Sequence, residues 1–390
     1  MGDKDERTAL RERLFRELSL LFLGDLNRGI GGVWTESRNR RMGELYERLQ
    51  DGDKQPFSLV VGAGLTASVK LPAWGSLLGR LEVNTFDFQS GIDPKHRAKN
   101  PSDDYPAGDY PFYEFPEFHT QKAFSDAKDS FHITDPLELA EYIKDGFPGG
   151  KKWDTEKQNV MKTIVRQALE AEPKTYQKEN KETYLYQTAE MCAKYFSTGN
   201  RRIVSYNYDN LLEWYIHRQH PALCPNAVYD RRSAGAGLNV YHIHGYLGLS
   251  GTDHENEESE RIILTEDDYL ELERYPYCWE NYLLTRALYE GDSLFLGFSG
   301  DDYNFRRIMR GVSESAAGIK RYMIVSINDT IKSVIEMALD EYESADPPIE
   351  YLVRILSHWL EIRDKYWSKK GIVPIWATHD DCPKLIENLL

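Results

Sequence analysis

The chain has 390 residues, enough for one large domain or two of ordinary size at roughly 100–200 residues each. Its 41% hydrophobic and 28% charged residues exclude collagen-like, disordered and multi-span membrane classes. Against 48 basic side chains stand 63 acidic ones, a formal net charge of −15, which repels phosphate backbones and argues against direct nucleic-acid binding.

From Glu6 to Leu26 the apolar residues Leu10, Leu14, Phe15, Leu18, Leu21 and Phe22 recur at helical spacing. They predict an amphipathic helix packed on the body of the protein or on a second subunit. The apolar run Leu18 to Leu23 is too short for a signal segment or a membrane span, so a cytoplasmic protein is expected. Phe57 to Gly62 is a short apolar run stopped by glycines, which predicts a buried strand entering a phosphate-type turn. Between about 84 and 150 the prolines, tyrosines and scattered Asp and Gly predict an irregular, aromatic-rich stretch. Lys151 to Thr198 reads as two or more helices, with Val160, Ile164, Val165 and Leu169 on one face of the first.

Strand-like runs return at Arg201–Tyr206, Val240–Leu247, Arg261–Leu264, Ser293–Phe298, Tyr322–Ile327 and Ile372–Trp376, with helical patterns between several of them. Strands spaced by helices predict an α/β fold, a Rossmann-like doubly wound parallel sheet with a mostly helical inserted subdomain. The expected division is an N-terminal helical segment (1–50), a nucleotide-binding domain split into 51–83 and 201–390, and the insertion 84–200.

Four polar or glycine-rich blocks punctuate the strand ends. Gly62-Ala63-Gly64 follows the first strand, where residues lacking a Cβ let backbone approach a ligand and amides face a phosphate. The dinucleotide fingerprint continues with Ala67 in place of a third glycine and only Glu82 as a loose acidic candidate; a plain tight turn is the competing reading. Second is Ser205-Tyr206-Asn207-Tyr208-Asp209, ending a strand before the apolar helix Leu211–Ile216. Asp209 taken singly reads as a helix N-cap. Asn207 has an amide needing partners for donor and acceptor alike, which suits holding hydroxyls or a water.

Third is His242-Ile243-His244-Gly245. Two histidines at i and i+2 on a strand share a face, but no further ligand lies at suitable spacing, so a metal is not expected. A histidine before a glycine at a strand end suits a general base, although either histidine taken singly reads as a satisfied structural residue. Fourth is Gly297-Phe298-Ser299-Gly300-Asp301-Asp302, small residues and a hydroxyl at a strand-to-helix turn, suited to a phosphate or ribose, with a loop and capping aspartate the equal reading when taken singly. The four cysteines, Cys192, Cys224, Cys278 and Cys382, lie far apart; they form no C-x-x-C pair and are read as reduced thiols.

Gly62-Ala63-Gly64-Leu65-Thr66 with Leu71-Pro72-Ala73-Trp74 and Leu77-Leu78, then Asn207-Tyr208-Asp209 with Leu211-Leu212-Glu213, then His244-Gly245, then Gly297-Phe298-Ser299 with Asp302, resembles the sirtuin-like domains of prokaryotic antiviral defence proteins. The blocks match in order and spacing from about Phe57 to Trp376. This chain has Thr66 where the family often has Ser, Lys70 where a glycine commonly precedes Leu-Pro, and Gly300 in place of an apolar residue. The resemblance implies a sheet that binds NAD as substrate and cleaves its nicotinamide–ribose bond, depleting the cell of NAD after phage infection, with no metal required. It implies Asn207, His244 and Asp209 as the catalytic residues. Gly62, Ala63, Gly64, Leu65, Thr66 and Trp74 would bind the nucleotide, with the pyrophosphate on the amides of Gly62 to Thr66. Gly297, Ser299 and Asp302 would also bind, Ser299 and Asp302 near the adenosine side. The zinc ribbon of the protein-deacetylating sirtuins is missing, which counts against deacylation. A catalytically silent sensor of ADP-ribose-like nucleotides is the alternative. The stretches before residue 50 and after Trp376 are too short for a repeat array or an ATPase. Regulation is therefore expected from homo-oligomer assembly or a separate chain, a HerA-type ATPase in preference to a short Argonaute.

Overall fold

The computed structural model describes residues 2–23, 31–51, 56–73, 75–78, 80–81, 136–145, 155–170, 175–197, 200–231, 234–235, 237–255, 257–313, 318–342 and 346–390. Trp74, Glu82 and most of the stretch read as irregular, 84–135 and 146–150, lie outside them.

Seven strands, β1 (Phe57–Val61), β2 (Arg201–Ser205), β3 (Asn226–Val228), β4 (Asn239–His242), β5 (Asp292–Leu296), β6 (Arg321–Ser326) and β7 (Ile372–Ala377), form one sheet in the order β3-β4-β2-β1-β5-β6-β7. Every pairing is parallel. The α/β Rossmann-like expectation therefore holds. At the centre, β1 aligns Phe57 with Arg201 and Asp292, and Val61 with Ser205 and Leu296. The chain leaves β1 for β2 on one side and later takes β5 on the other. The carboxyl ends of these three strands thus bound the switch point at which open parallel sheets take ligands.

Burial follows the two-residue period of a strand. On one face Phe57, Leu59 and Val61 of β1, Leu294 and Leu296 of β5, and Tyr322 and Ile324 of β6 join one core; Val60, Phe295, Met323 and Val325 join a second core on the other face. Apolar residues on both faces are what a sheet covered by helices on both sides requires.

The helices are α1 (Gly2–Leu23), α2 (Gly31–Gln50), α3 (Ala63–Thr66), α4 (Pro136–Asp145), α5 (Thr155–Glu170), α6 (Tyr184–Tyr195), α7 (Leu211–Gln219), α8 (Glu266–Arg274), α9 (Trp279–Tyr289), α10 (Tyr303–Ser313), α11 (Asn328–Glu341), α12 (Ile349–Lys369) and α13 (Asp381–Glu387). Leu185 and Met191 of α6, Ile216 of α7 and Ile386 of α13 fill the first core, and Leu284 of α9, Phe305 of α10, Ile331 of α11 and Leu356 of α12 the second. Helix α1 packs on its own chain: Leu14 and Leu18 enter the second core, and Arg7, Arg11 and Arg13 pair with Asp340, Glu336 and Asp346. Leu10, Leu14, Phe15 and Leu18 of its apolar face are thus packed on its own chain. No helix among the described residues is long and apolar enough to cross a membrane.

Two strand expectations are corrected. The run Val240–Leu247 is strand only as far as His242, because the chain turns and Gly245 takes φ 100°, a conformation open to glycine. Arg261–Leu264 is not a sheet strand. It lies along the 244–248 turn, where Ser259 and Ile263 amides donate to the Tyr246 and His244 carbonyls at 2.9 and 2.8 Å. A Cβ on Gly245 would fall 2.6 Å from the Arg261 carbonyl oxygen, so this close backbone contact is why the position is glycine. The sequence reading also missed β3, three residues long and without the β-branched density that marks a strand.

The helices α4 and α5 fasten onto the segment behind that turn. Lys162, almost fully buried, donates to Glu258 Oε1 at 2.6 Å and to the Ser259 carbonyl at 3.1 Å, and Arg166 donates to Glu258 Oε2 at 2.8 Å. Lys144 reaches Thr265 Oγ1 at 3.2 Å.

Candidate functional site at the carboxyl ends of the central strands

Three of the four sequence blocks come together around Asn207, and the fourth joins them through Asp302. After β1 the chain turns through Gly62 and Gly64 into the single-turn α3, and this turn lies against the turn after β5. The Gly62 and Gly64 amides donate to the Leu296 and Gly297 carbonyls at 3.0 and 2.9 Å. A Cβ on Gly297 would sit 2.1 Å from the Leu65 nitrogen. Glycine is needed here so that two loops can touch backbone to backbone. The amides of Gly62 and Gly64 are committed to that contact rather than free to face a phosphate. A few residues on, Lys70 adopts φ 72°, the one non-glycine residue with positive φ among the described residues. It occupies the place where the sequence resemblance expects a glycine, and the left-handed conformation explains that preference.

Thr66, at the end of α3, is the junction between blocks. Its hydroxyl donates to Asp209 Oδ2 at 3.3 Å and accepts from Asn207 Nδ2 at 3.3 Å. Asn207 is 7% exposed, and its Oδ1 is buried without a hydrogen-bond partner. A buried amide oxygen left open in this way is costly unless something outside the described residues meets it. The Asp209 carboxylate also accepts from the Leu211 amide at 3.2 Å, but the N-cap position of α7 is Asn210, one residue beyond the Asp209 of the plain reading. Burial raises its pKa to about 6, against the opposing bond from the Leu211 amide.

His244 is 6% exposed and packs edge-on against Tyr206, ring centroids 4.6 Å apart, and against Tyr269 at 5.6 Å. Its Nε2 lies 3.7 Å from Asp302 Oδ2 and makes no hydrogen bond. Burial lowers the His244 pKa, outweighing the opposing pull of Asp302, Glu280 and Asp268. The imidazole is therefore neutral near pH 7 and has a ring nitrogen available to take a proton.

Asp302 was expected toward an adenosine. The structure places it beside His244. One carboxylate oxygen accepts from the Phe305 amide at 2.6 Å, capping α10, and the other accepts from the Tyr269 hydroxyl at 2.5 Å. Ser299 is exposed and its hydroxyl accepts from the Asp301 amide at 3.2 Å. Tyr269 went unnoticed in the sequence, where nothing links an α8 tyrosine to an aspartate 33 residues later. The signal present was local: Thr265 and Asp268 form a capping box that places α8.

The two histidines of the His-Ile-His-Gly block do not share a face. His242 ends β4 and turns toward Glu213 of α7, with Nε2 to Oε1 at 2.5 Å, while His244 lies past the turn among Tyr206 and Tyr269. Among the described residues no group of three or more His, Cys, Asp or Glu is placed to hold a metal ion.

The arrangement offers an open amide oxygen, a neutral imidazole with a free nitrogen, and a carboxylate beside it, all at the sheet's switch point. Such a set can bind and orient hydroxyls and accept a proton from one of them or from water. No curated protein matches the chain. A family model does match: residues 201–375, which hold β2 to β6, the first four residues of β7, and the Asn207, His244 and Asp302 blocks, match the SIR2-like domain, while β1 and Thr66 lie outside the matched span.

Proposed function

We propose that the protein is an NAD+ glycohydrolase that cleaves the nicotinamide–ribose bond and serves as an effector of antiviral defence by depleting the cell of NAD. SIR2-like domains are in general NAD-dependent enzymes, and the resemblance of the four blocks to defence-associated relatives supports the narrower reading. The carrying observation is the pair of buried, unpartnered atoms, Asn207 Oδ1 and His244 Nε2. They fit a ribose diol, whose hydroxyls supply the missing donors.

In the proposed reaction NAD+ and water give nicotinamide, ADP-ribose and a proton. The bond that breaks leaves an oxocarbenium-like ribose, so the site must orient a water and receive its proton. Asn207 positions the water or the ribose hydroxyls, His244 accepts the proton, and Asp302 stabilises the imidazolium that results. Thr66 and Asp209 keep the Asn207 amide turned so that its oxygen faces the substrate. The turns at Gly62 to Thr66 and Gly297 to Ser299 flank the nucleotide, with Trp74 a further proposed contact. Regulation is assigned to self-assembly with a HerA-type ATPase.

The test is to incubate the protein with NAD+, alone and with the ATPase, and to follow nicotinamide and ADP-ribose. Release of both is expected, falling by at least about 100-fold in Asn207→Ala and His244→Ala, with melting temperatures close to wild type. NAD+ bound but uncleaved under both conditions would make the chain a silent nucleotide sensor, and release only with an acylated peptide would make it a deacylase. Wild-type turnover by both variants would overturn the site.

A further inference from the structure

Behind Asn207 lies a buried pair that the proposed chemistry does not use. His242 is 1% exposed and Glu213 is 3%. His242 Nε2 meets Glu213 Oε1 at 2.5 Å, and His242 Nδ1 meets the Asn207 carbonyl oxygen at 2.9 Å. A carbonyl can only accept, so Nδ1 carries a hydrogen and donates it. The ring is thereby held at both nitrogens, from α7 on one side and from the β2 loop on the other. At the other end of the same residue, the Asn207 amide donates to Ser205 Oγ at 3.1 Å. The next carbonyl along, that of Tyr208, accepts from the Leu247 amide at 2.7 Å. With its own N–H and C=O both fixed, Asn207 has little backbone freedom left, and the direction of its side chain follows.

We propose that Glu213 and His242 are a positioning pair for the site, Glu213 orienting the imidazole and the imidazole holding the Asn207 carbonyl so that the Asn207 amide keeps its place. The proposal deepens the NAD reading and rests on it for its kinetic part. Neither residue reaches the substrate; both act through Asn207. A bond to a main-chain carbonyl is well suited to this, since it constrains the residue without consuming the side-chain groups that do the chemistry.

Two substitutions separate the two ends of the imidazole. In His242→Asn the side-chain amide nitrogen takes the place of Nδ1 and can still donate to the Asn207 carbonyl, while contact with Glu213 is lost. In His242→Gln the nitrogen takes the place of Nε2, which keeps Glu213 and loses the carbonyl. Both leave a cavity of similar kind, so a merely structural role would affect them alike. The expected result is that H242Q loses at least tenfold in kcat for NAD+ cleavage with KM within about twofold, while H242N stays within a few-fold of wild type and both melt at similar temperatures. Hydrogen exchange of the 204–211 segment, which needs no turnover, is expected to accelerate in H242Q and not in H242N. An active wild type with the two variants equal in kcat and in exchange overturns the positioning pair. A wild type that cleaves no NAD+ overturns the NAD reading, and the exchange comparison still decides whether His242 holds the loop.

Discussion

Two histidines one residue apart, His242 and His244, occupy two kinds of environment, and the contrast shows how a fold assigns roles to one residue type. Each lies against a carboxylate: His242 against Glu213 at 2.5 Å and His244 against Asp302 at 3.7 Å. Both are buried. Burial lowers both pKa values, but around His242 the charge and hydrogen bond of Glu213, with the Asn207 carbonyl and the charge of Asp209, reverse the direction and the net change is upward. At His244 no bond is closed and the change stays downward. A pair whose imidazole is saturated at both nitrogens holds its proton and its neighbours, although Glu213 Oε2 is left buried without a partner. An unsaturated pair keeps a nitrogen open, which is a cost in the empty site and an asset when a hydroxyl arrives.

The largest expected effect breaks the saturated pair. Glu213→Leu or His242→Leu alone strands the remaining polar partner in the core, which costs on the order of 3–5 kcal/mol. The double replacement removes the stranded group as well and should cost clearly less than the sum. Urea unfolding of the four proteins measures this. Strict additivity would show that the two side chains are not coupled, and the contrast with His244 would fail.

An intermediate effect comes from Asp209, which faces the same cluster. Its pKa rises from 3.8 to about 6 on burial, so between those values the folded state binds more protons than the unfolded one. Stability must then fall as pH rises through that window, by on the order of 3 kcal/mol at completion. Asp209→Asn removes the charge while keeping an acceptor for the Leu211 amide. Its unfolding free energy should gain on wild type between pH 4 and 7. Parallel pH profiles for the two proteins would mean that Asp209 is not desolvated in solution.

Much of this was legible in the sequence because the relevant signals are local. The run Phe57–Val61 is apolar except for Ser58 and buried at every position, as a strand covered on both faces is, and the glycine and polar punctuation after β1, β2 and β5 marks the ligand-binding edge. Asn207 could be singled out because its amide needs partners for donor and acceptor alike, whereas His244, which alone reads as a structural histidine, stood out only in the company of the other blocks. What was not legible depends on strand order. Glu213 stands in the Leu211-Leu212-Glu213 run without an assigned role, and its partner emerges only when β4 is placed beside β2, which delivers His242 to it. Asp302 could be recognised as a cap, but its position next to His244 requires β5 to lie across β1 from β2, with Tyr269 closing from α8. The extent of β4 was overestimated because apolar composition continues through Ile243, Tyr246 and Leu247 after the backbone has turned. Ile243 and Leu247 still enter the cores on the two faces of the sheet, although the backbone there is no longer strand.

The smallest expected effect sharpens the comparison from the unsaturated side. Asp302 favours the protonated form of His244 by its charge, and at 3.7 Å the pair is a long contact rather than a closed bond. Asp302→Asn therefore leaves the contacts to Phe305 and Tyr269 largely served, since the amide oxygen can accept from the Phe305 amide and the amide nitrogen can donate to the Tyr269 hydroxyl oxygen, and should change stability little. It removes the one charge that opposes burial most strongly at that imidazole. The His244 titration, followed by imidazole proton resonances, should move further down, and the acid limb of NAD+ cleavage should move with it to lower pH. The rate on the plateau should fall as well, because the imidazolium formed on proton transfer loses its counter-charge. Glu213→Gln supplies the control: it acts on the other histidine, so the acid limb assigned to His244 should stay in place. If the two substitutions shifted that limb equally, His242 would share the titration, and the division of labour between the closed pair and the open one would be wrong.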